Sequence, residues 1–151
     1  MLDFLKHFHS GLRWVALILL LVAIVKAFAG MSGNKPFTTG DKKLALYTLI
    51  SMHLQFVIGL ILYIMGKWYQ ALPEGATEDM IKVHRFFSME HISGMLVAII
   101  LITIGNAKSK RGATDKAKFK SIAIFFTIGL VLILACIPWP FMAKFANLGW
   151  F

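Results

Sequence analysis

Four long apolar segments run along the chain and are separated by short polar segments. A helix that crosses a bilayer needs about 20 mostly apolar residues. The pattern therefore predicts four transmembrane helices, at roughly residues 4–29, 43–65, 80–105 and 118–137. The last helix is expected to end at Pro138 and Pro140, because proline has no amide hydrogen and cannot continue a helix.

The polar connections between these segments are short, which favours antiparallel neighbours. We expect one transmembrane domain, residues 1–151, that is all-α and forms an antiparallel four-helix bundle. The composition supports a polytopic membrane protein, because 58% of the residues are hydrophobic and only 15% are charged, whereas soluble domains carry about 25% charged residues. The lipid bilayer is thus the first partner of the chain.

The net charge of +9 is explained by the positions of the 16 lysine and arginine residues. Most of them lie in or beside the first and third connections: Lys26, Lys35, Lys42, Lys43, Lys108, Lys110, Arg111, Lys116, Lys118 and Lys120. Short loops rich in these residues stay in the cytoplasm, so both termini are predicted to face outward, and no nucleic-acid partner is expected. The tryptophans, which suit an aromatic belt, fall on the outward side: Trp14, Trp68, Trp139 and Trp150.

The predicted helices carry polar and ionisable residues, which are costly within a membrane and indicate a functional site. They are His9 and Arg13 on the first helix, His53 and Gln55 on the second, and His84, Arg85, Glu90 and His91 on the third. At a rise of about 1.5 Å per residue, His53 and His91 lie roughly 15 Å and 12 Å below the outer surface. We therefore expect these two imidazoles to face each other. His84 lies seven residues before His91, so those two are predicted to share a helix face.

Two facing imidazoles in an apolar bundle are typical of a b-type haem site, because neutral imidazole nitrogens bind the iron from both sides of the ring. The hypothesis makes His53 and His91 the axial ligands of the haem iron. Arg13 and Arg85 are predicted at the outer end, where they would pair with the haem propionates. Glu90 is expected either to pair with Arg13 or to carry protons beside a quinone. A simpler interpretation stays open, in which these residues form hydrogen bonds between helices without a cofactor.

Three stretches carry a resemblance to other proteins: residues 5–14 (LKHFHSGLRW), 85–95 (RFFSMEHISGM) and 137–141 (IPWPF). In them the chain resembles a family of small four-helix bacterial membrane proteins labelled cytochrome b-like. The resemblance implies haem b, the bacterial inner membrane, and a residue set of His9, Arg13, His53, Glu90 and His91. A looser similarity exists to four-helix haem-binding protoporphyrinogen oxidases and copper-resistance membrane proteins, which share the size of the chain and an outer-end histidine followed by tryptophan.

Three functional hypotheses follow. The first is a membrane-embedded b-type cytochrome that binds one or two haems between the second and third helices and transfers electrons, with a quinone as redox partner. The second is a cofactor-free accessory or structural subunit of a larger membrane complex, such as one of the respiratory chain. The third is a haem-synthesis enzyme that oxidises a porphyrinogen. Under the first and third hypotheses the protein is an electron carrier or an oxidoreductase.

Overall fold

A computed structural model describes residues 1–148 of the chain. Within these residues, four helices are long and apolar enough to cross a membrane: α1 (Leu2–Ser32), α2 (Thr39–Met65), α3 (Glu78–Arg111) and α4 (Asp115–Cys136). A short 3₁₀ helix, Ala143–Leu148, follows α4. The predicted all-α class and the four apolar helices are confirmed. Trp150 lies outside the described residues.

Three of the helices begin earlier than the apolar pattern predicts, because a threonine caps each of their first turns. The side chains of Thr38, Thr77 and Thr114 accept hydrogen bonds from backbone amides at the starts of α2, α3 and α4. Such caps satisfy amide groups that have no partner within the helix. Apolar residues mark only the part of each helix that suits a membrane, so the polar first turns extend beyond it.

The four helices form a bundle in which α1 and α3 are diagonally opposite. Helix α1 packs against α2 and α4, and α3 packs against the same two helices. Small residues allow the close approach: Ala16, Ala23, Ala27 and Gly30 are buried on α1, and Gly129 of α4 is buried against α3. Small residues at helix contacts are the usual means of packing in membranes, where lipid offers no hydrophobic drive between helices.

Polar contacts join α1 to α2. Lys26 Nζ lies 3.0 Å from an Asp41 carboxylate oxygen, and the hydroxyl of Thr48 donates to the carbonyl of Leu19 at 3.2 Å. Asp41 also accepts hydrogen bonds from the amide and hydroxyl of Thr38. These contacts fix the first two helices at the end of the bundle that holds the α1–α2 connection.

Helix α3 contains a π-helical segment, Phe86–Glu90, in which the amide of His91 donates to the carbonyl of Phe86. A π turn accommodates one extra residue relative to an α turn. The seven residues between His84 and His91 therefore no longer make two whole turns, and the prediction that these histidines share a face is wrong. The segment rotates His91 and the rest of α3 relative to the first turns of the helix.

The close contact of α3 and α4 gives a test of the packing. A Cβ atom at Gly129 would lie 2.8 Å from Cγ1 of Ile102, a fully buried residue. We expect Gly129→Leu to lower the free energy of unfolding by about 1–3 kcal/mol through overpacking, measured by thermal unfolding in detergent. Gly11→Leu is the matched control, because nothing lies within 4 Å of a Cβ atom there. An unchanged unfolding midpoint for Gly129→Leu would contradict this packing.

Candidate functional site

A cavity of about 470 Å³ lies among the helices at the end of the bundle where α1 begins and α2 and α4 end. Its volume falls in the range of about 300–1,000 Å³ that is typical of cofactor and small-molecule sites. Most of the lining is apolar and includes Ala16, Leu17, Met52, Phe56, Phe87, Met95, Ile99, Ile133 and Ile137. The main polar side chains in the lining are Lys6, His9, Ser10, Arg13, Gln55, Tyr63 and His91. An apolar chamber with a few convergent polar groups is the usual form of a ligand site.

One wall of the cavity is the end of α4, and Pro138 determines its shape. A residue before proline is driven to an extended conformation, and Ile137 has a ψ of 133° that ends the helix. The last carbonyl groups of α4 then have no helical partner. The indole N–H of Trp139 donates to the carbonyl of Leu134 at 2.8 Å, which leaves the carbonyl of Cys136 for another donor.

That donor is His91, whose Nδ1 lies 2.7 Å from the Cys136 carbonyl oxygen. A carbonyl oxygen only accepts, so Nδ1 carries the hydrogen, and a neutral imidazole then has its free lone pair on Nε2. Within the described residues, Nε2 of His91 makes no hydrogen bond. A backbone carbonyl on one ring nitrogen is the usual way in which proteins orient a histidine that binds metal through the other.

His9 also lines the cavity. It belongs to α1, which is diagonally opposite the helix α3 that carries His91. The His9 ring rests on Gly59 of α2, where a Cβ atom would lie 3.0 Å from its Cε1. A side chain at position 59 would press on the ring, so the absence of one at Gly59 leaves the space that His9 occupies. Among the described residues, the imidazoles that line the cavity are those of His9 and His91.

Buried polar atoms without partners cluster on the α1 side of the cavity. Nδ1 of His9, Nε of Arg13 and Oε1 of Gln55 are shielded from solvent and have no hydrogen-bond partner among residues 1–148. The other end of the Gln55 amide is fixed, because Nε2 donates to the His9 carbonyl at 2.8 Å. Buried polar groups are nearly always paired with protein, water or ligand. The hydrogen bonding of these three side chains is therefore incomplete within the described chain.

His53 lies on a face of α2 that does not line the cavity. Its neighbour Met52 lines the cavity, whereas His53 is exposed and its Nδ1–H donates to the carbonyl of Leu49, 2.8 Å away on the same helix. Successive helical residues are rotated by about 100°, so Met52 and His53 cannot both face inward. The expected facing of His53 and His91 is absent from the structure.

The charged residues at the start of α3 also differ from the expectation. Glu90 forms an ion pair with Arg85 at 2.9 Å and not with Arg13, and neither Arg85 nor Glu90 lines the cavity. Nε2 of His84 lies 2.8 Å from the Gln70 carbonyl and therefore donates to it. These contacts stabilise the first turns of α3 and join them to the connection that precedes the helix.

Trp68 follows α2 and packs against the first turns of α3. Lys67 has a φ of 55°, a left-handed conformation that turns the chain sharply after α2. The indole of Trp68 then lies 4.9 Å from the ring of Phe87 and 5.9 Å from that of His84, measured between centroids. Together with Trp139, Trp68 lines the cavity, a role for which the sequence offered only the aromatic-belt pattern.

Two features of the sequence could have located this site. On α2, polar or small residues recur at Thr48, Gln55 and Gly59, and such residues mark the bundle-facing side of a membrane helix. The prolines after α4 imply carbonyl groups that need donors from elsewhere. Neither feature specifies which donor arrives, and the π segment that rotates His91 has no sequence signature.

Comparisons with protein families, curated proteins and solved structures give no significant match to this chain. Among the described residues, no group of three or more His, Cys, Asp or Glu side chains could hold a metal ion. The site is thus a largely apolar cavity whose lining includes two imidazoles and a few other polar side chains.

The histidine tautomers provide a direct test of this geometry. In ¹⁵N-histidine-labelled protein in detergent above neutral pH, NMR is expected to show His91 with its hydrogen on Nδ1. His84 serves as the internal control, because its bond to Gln70 requires the hydrogen on Nε2. Substitution of each histidine in turn assigns the signals. A hydrogen on Nε2 of His91 would rule out the bond to Cys136.

Proposed function

We propose that this protein is a membrane-embedded b-type cytochrome-like electron carrier that holds haem b in the cavity. His91 is the primary axial ligand and His9 is the second. The observation that carries the proposal is the bond from His91 Nδ1 to the Cys136 carbonyl at 2.7 Å, because it presents a free Nε2 lone pair to a cofactor-sized cavity.

The residues present fit a haem in three respects. Two imidazoles, from the diagonal helices α1 and α3, line the space, and axial ligation of a planar ring would use one on each side. Apolar and aromatic side chains such as Phe87 and Met95 form most of the walls. Arg13 and Lys6 supply positive charge at the end where propionates would lie. The volume of about 470 Å³ favours one haem rather than two.

When bound, the haem iron supplies one-electron oxidation and reduction. The chain supplies the nitrogens that ligate the iron, excludes water from the cavity and sets the electron-donating strength of His91. The Cys136 carbonyl makes the His91 imidazole a stronger electron donor, which favours the oxidised iron. Trp68 and Trp139 contribute aromatic surface to the lining of the cavity.

The proposed location is the bacterial inner membrane, with antiparallel helices and both termini outside. Its support is the concentration of lysine and arginine at the opposite end of the bundle, in the connections after α1 and α3. In this topology the cavity opens near the outer surface. A lipid-soluble quinone is then a suitable redox partner, and we expect it near Arg13, since His9 would ligate the iron and Glu90 is engaged with Arg85.

A comparison of two histidine variants tests the proposal. Purified protein is expected to show split Soret and alpha bands when it is reduced with dithionite. Loss of a residue that only hydrogen-bonds to a metal ligand weakens metal binding by about 10–100-fold. His91→Gly removes the ligand itself and should weaken haem binding by more than that. Added imidazole should restore the spectrum. His53→Ala is the matched control and should bind haem as the wild type does. Loss of haem in His53→Ala, or a colourless wild type after haem reconstitution, would reject the assignment.

The second ligand is tested separately by His9→Ala. Haem should remain bound through His91, but the iron should lose its sixth ligand and change from a low-spin to a high-spin spectrum. Electron paramagnetic resonance and absorption spectroscopy of the oxidised protein measure the change. A low-spin spectrum identical to the wild type would show that His9 does not bind the iron. Gly59→Val should shift the spectrum in the same direction as His9→Ala, because a β-branched side chain there would press on the His9 ring.

A further inference from the structure

One face of α2 points away from the bundle. The helix packs inward through residues such as Ser51, Met52 and Ile58, which are buried. On the outward side, six exposed residues are spaced alternately four and three apart and form what we call the α2 stripe: Leu46, Ile50, His53, Val57, Leu60 and Ile64. Its five apolar side chains are 37–55% exposed. Leu60 also lines the cavity, so the stripe passes beside the cavity at that end.

The one polar member of the stripe, His53, lies close to the midpoint of α2. Ionisable residues at such a depth almost always face a bundle interior or a water-filled cavity. His9, Arg13 and His91 follow this rule because they line the cavity, whereas His53 is exposed. Its Nδ1–H donates to the Leu49 carbonyl at 2.8 Å, so Nε2 has a lone pair that makes no hydrogen bond within residues 1–148. Lipid chains offer no donor, and the stripe therefore indicates a protein partner.

The hydrogen-bonding chemistry of His53 indicates which partner this is. A neutral imidazole has one donor and one acceptor nitrogen, so it is complementary to a second imidazole. One ring can accept at Nε2 while the other carries its hydrogen on Nε2 and donates. The donating ring gives up its bond to Leu49, but that carbonyl still accepts the amide of His53 within the helix. The two rings must lie at one depth, as they do in two copies of a chain that insert in the same orientation.

The apolar residues of the stripe suit the same arrangement. In a parallel pair of helices with a seven-residue repeat, β-branched residues at one core position and leucine at the other favour two strands. The stripe has Ile50, Val57 and Ile64 at the first position and Leu46, His53 and Leu60 at the second. Helices in membranes commonly cross at the angle that this packing requires. Identical helices related by a two-fold axis along the membrane normal are parallel, so the pattern fits a symmetric pair.

We propose that two copies of this chain form a parallel dimer in the membrane through the α2 stripe, with His53 of one copy hydrogen-bonded to His53 of the other. A single polar residue in such a seam fixes its register and the number of helices, which is the role of His53 here. The inference is independent of the proposed haem binding, because the iron ligands of that proposal lie on α1 and α3.

Cysteine cross-linking tests the geometry in membranes that contain the full chain with Cys136→Ser. A disulfide forms only between residues whose Cα atoms come within about 7 Å. Ile50→Cys and Val57→Cys should each give a covalent dimer on non-reducing gels after oxidation with copper phenanthroline. Ile128→Cys on α4 is the matched control, because Ile128 is 46% exposed and Val57 52%. Each lies eight residues before the last residue of its helix.

The control variant should stay monomeric under the same oxidation. Equal cross-linking of Ile128→Cys and Val57→Cys would overturn the inference, since it would reflect random collision in the membrane. Absence of a covalent dimer at both stripe positions would also overturn it, and would leave this face of α2 to lipid or to a different subunit.

The role of His53 is measured by energy transfer between donor- and acceptor-labelled copies in vesicles as lipid is added. His53→Leu keeps an apolar seam but loses the hydrogen bond, and should weaken association by about 3–30-fold, the usual strength of such a bond between membrane helices. His53→Gln should retain most of the association, because an amide also donates and accepts. Thr103→Val is the control, since it removes an exposed hydroxyl of α3 that donates to the Ile99 carbonyl at 2.7 Å. Association that His53→Leu leaves unchanged would overturn the bond between the two histidines.

Discussion

A carbonyl oxygen that has lost its helical partner in apolar surroundings must find another donor. This constraint acts at the end of α4, where Pro138 and the extended Ile137 stop the helix. Trp139 satisfies the carbonyl of Leu134 from its own chain segment, and His91 satisfies that of Cys136 from α3. The second bond joins the two helices and at the same time fixes which nitrogen of His91 faces the cavity.

The hydrogen bonding of the polar side chains therefore differs between the two sides of the cavity. On the α3 side, His91 has its hydrogen bond and its orientation without any ligand. On the α1 side, His9, Arg13 and Gln55 keep buried atoms that have no partner in the described chain. A side chain whose hydrogen bonds are already made can hold a metal in a fixed orientation. Polar side chains whose hydrogen bonds are incomplete instead leave room for a ligand or a water molecule as partner. This asymmetry explains why His91, and not His9, is the primary ligand in our proposal.

A cofactor-free packing subunit accounts less well for the same features. Interhelical hydrogen bonding explains Thr48 and its contact with Leu19, and the exposed pair of Arg85 and Glu90 needs no cofactor. It does not account for a cavity of about 470 Å³ next to unpaired buried groups, since membrane helices gain stability by close packing. The bundle is packed by small residues at its other end, so the opening at this end is a local feature.

The sequence by itself determined the four apolar helices, their approximate limits and the residues that carry ionisable groups into them. These follow from length and hydropathy, because the bilayer thickness and the need to satisfy backbone groups leave few alternatives. It did not determine which face of each helix is buried. The stripe that contains Ile50, His53 and Val57 is as apolar as the bundle-facing side, yet it is exposed.

Only the tertiary structure decided that His9 and His91 would line the same cavity. In a membrane, lipid-facing and bundle-facing residues are both apolar, so hydrophobic periodicity does not orient a helix. The rotation of α2 placed Met52 and Gln55 inward, and the π segment of α3 set the direction of His91. Both rotations arise from packing between segments far apart in the chain, which local sequence patterns do not contain.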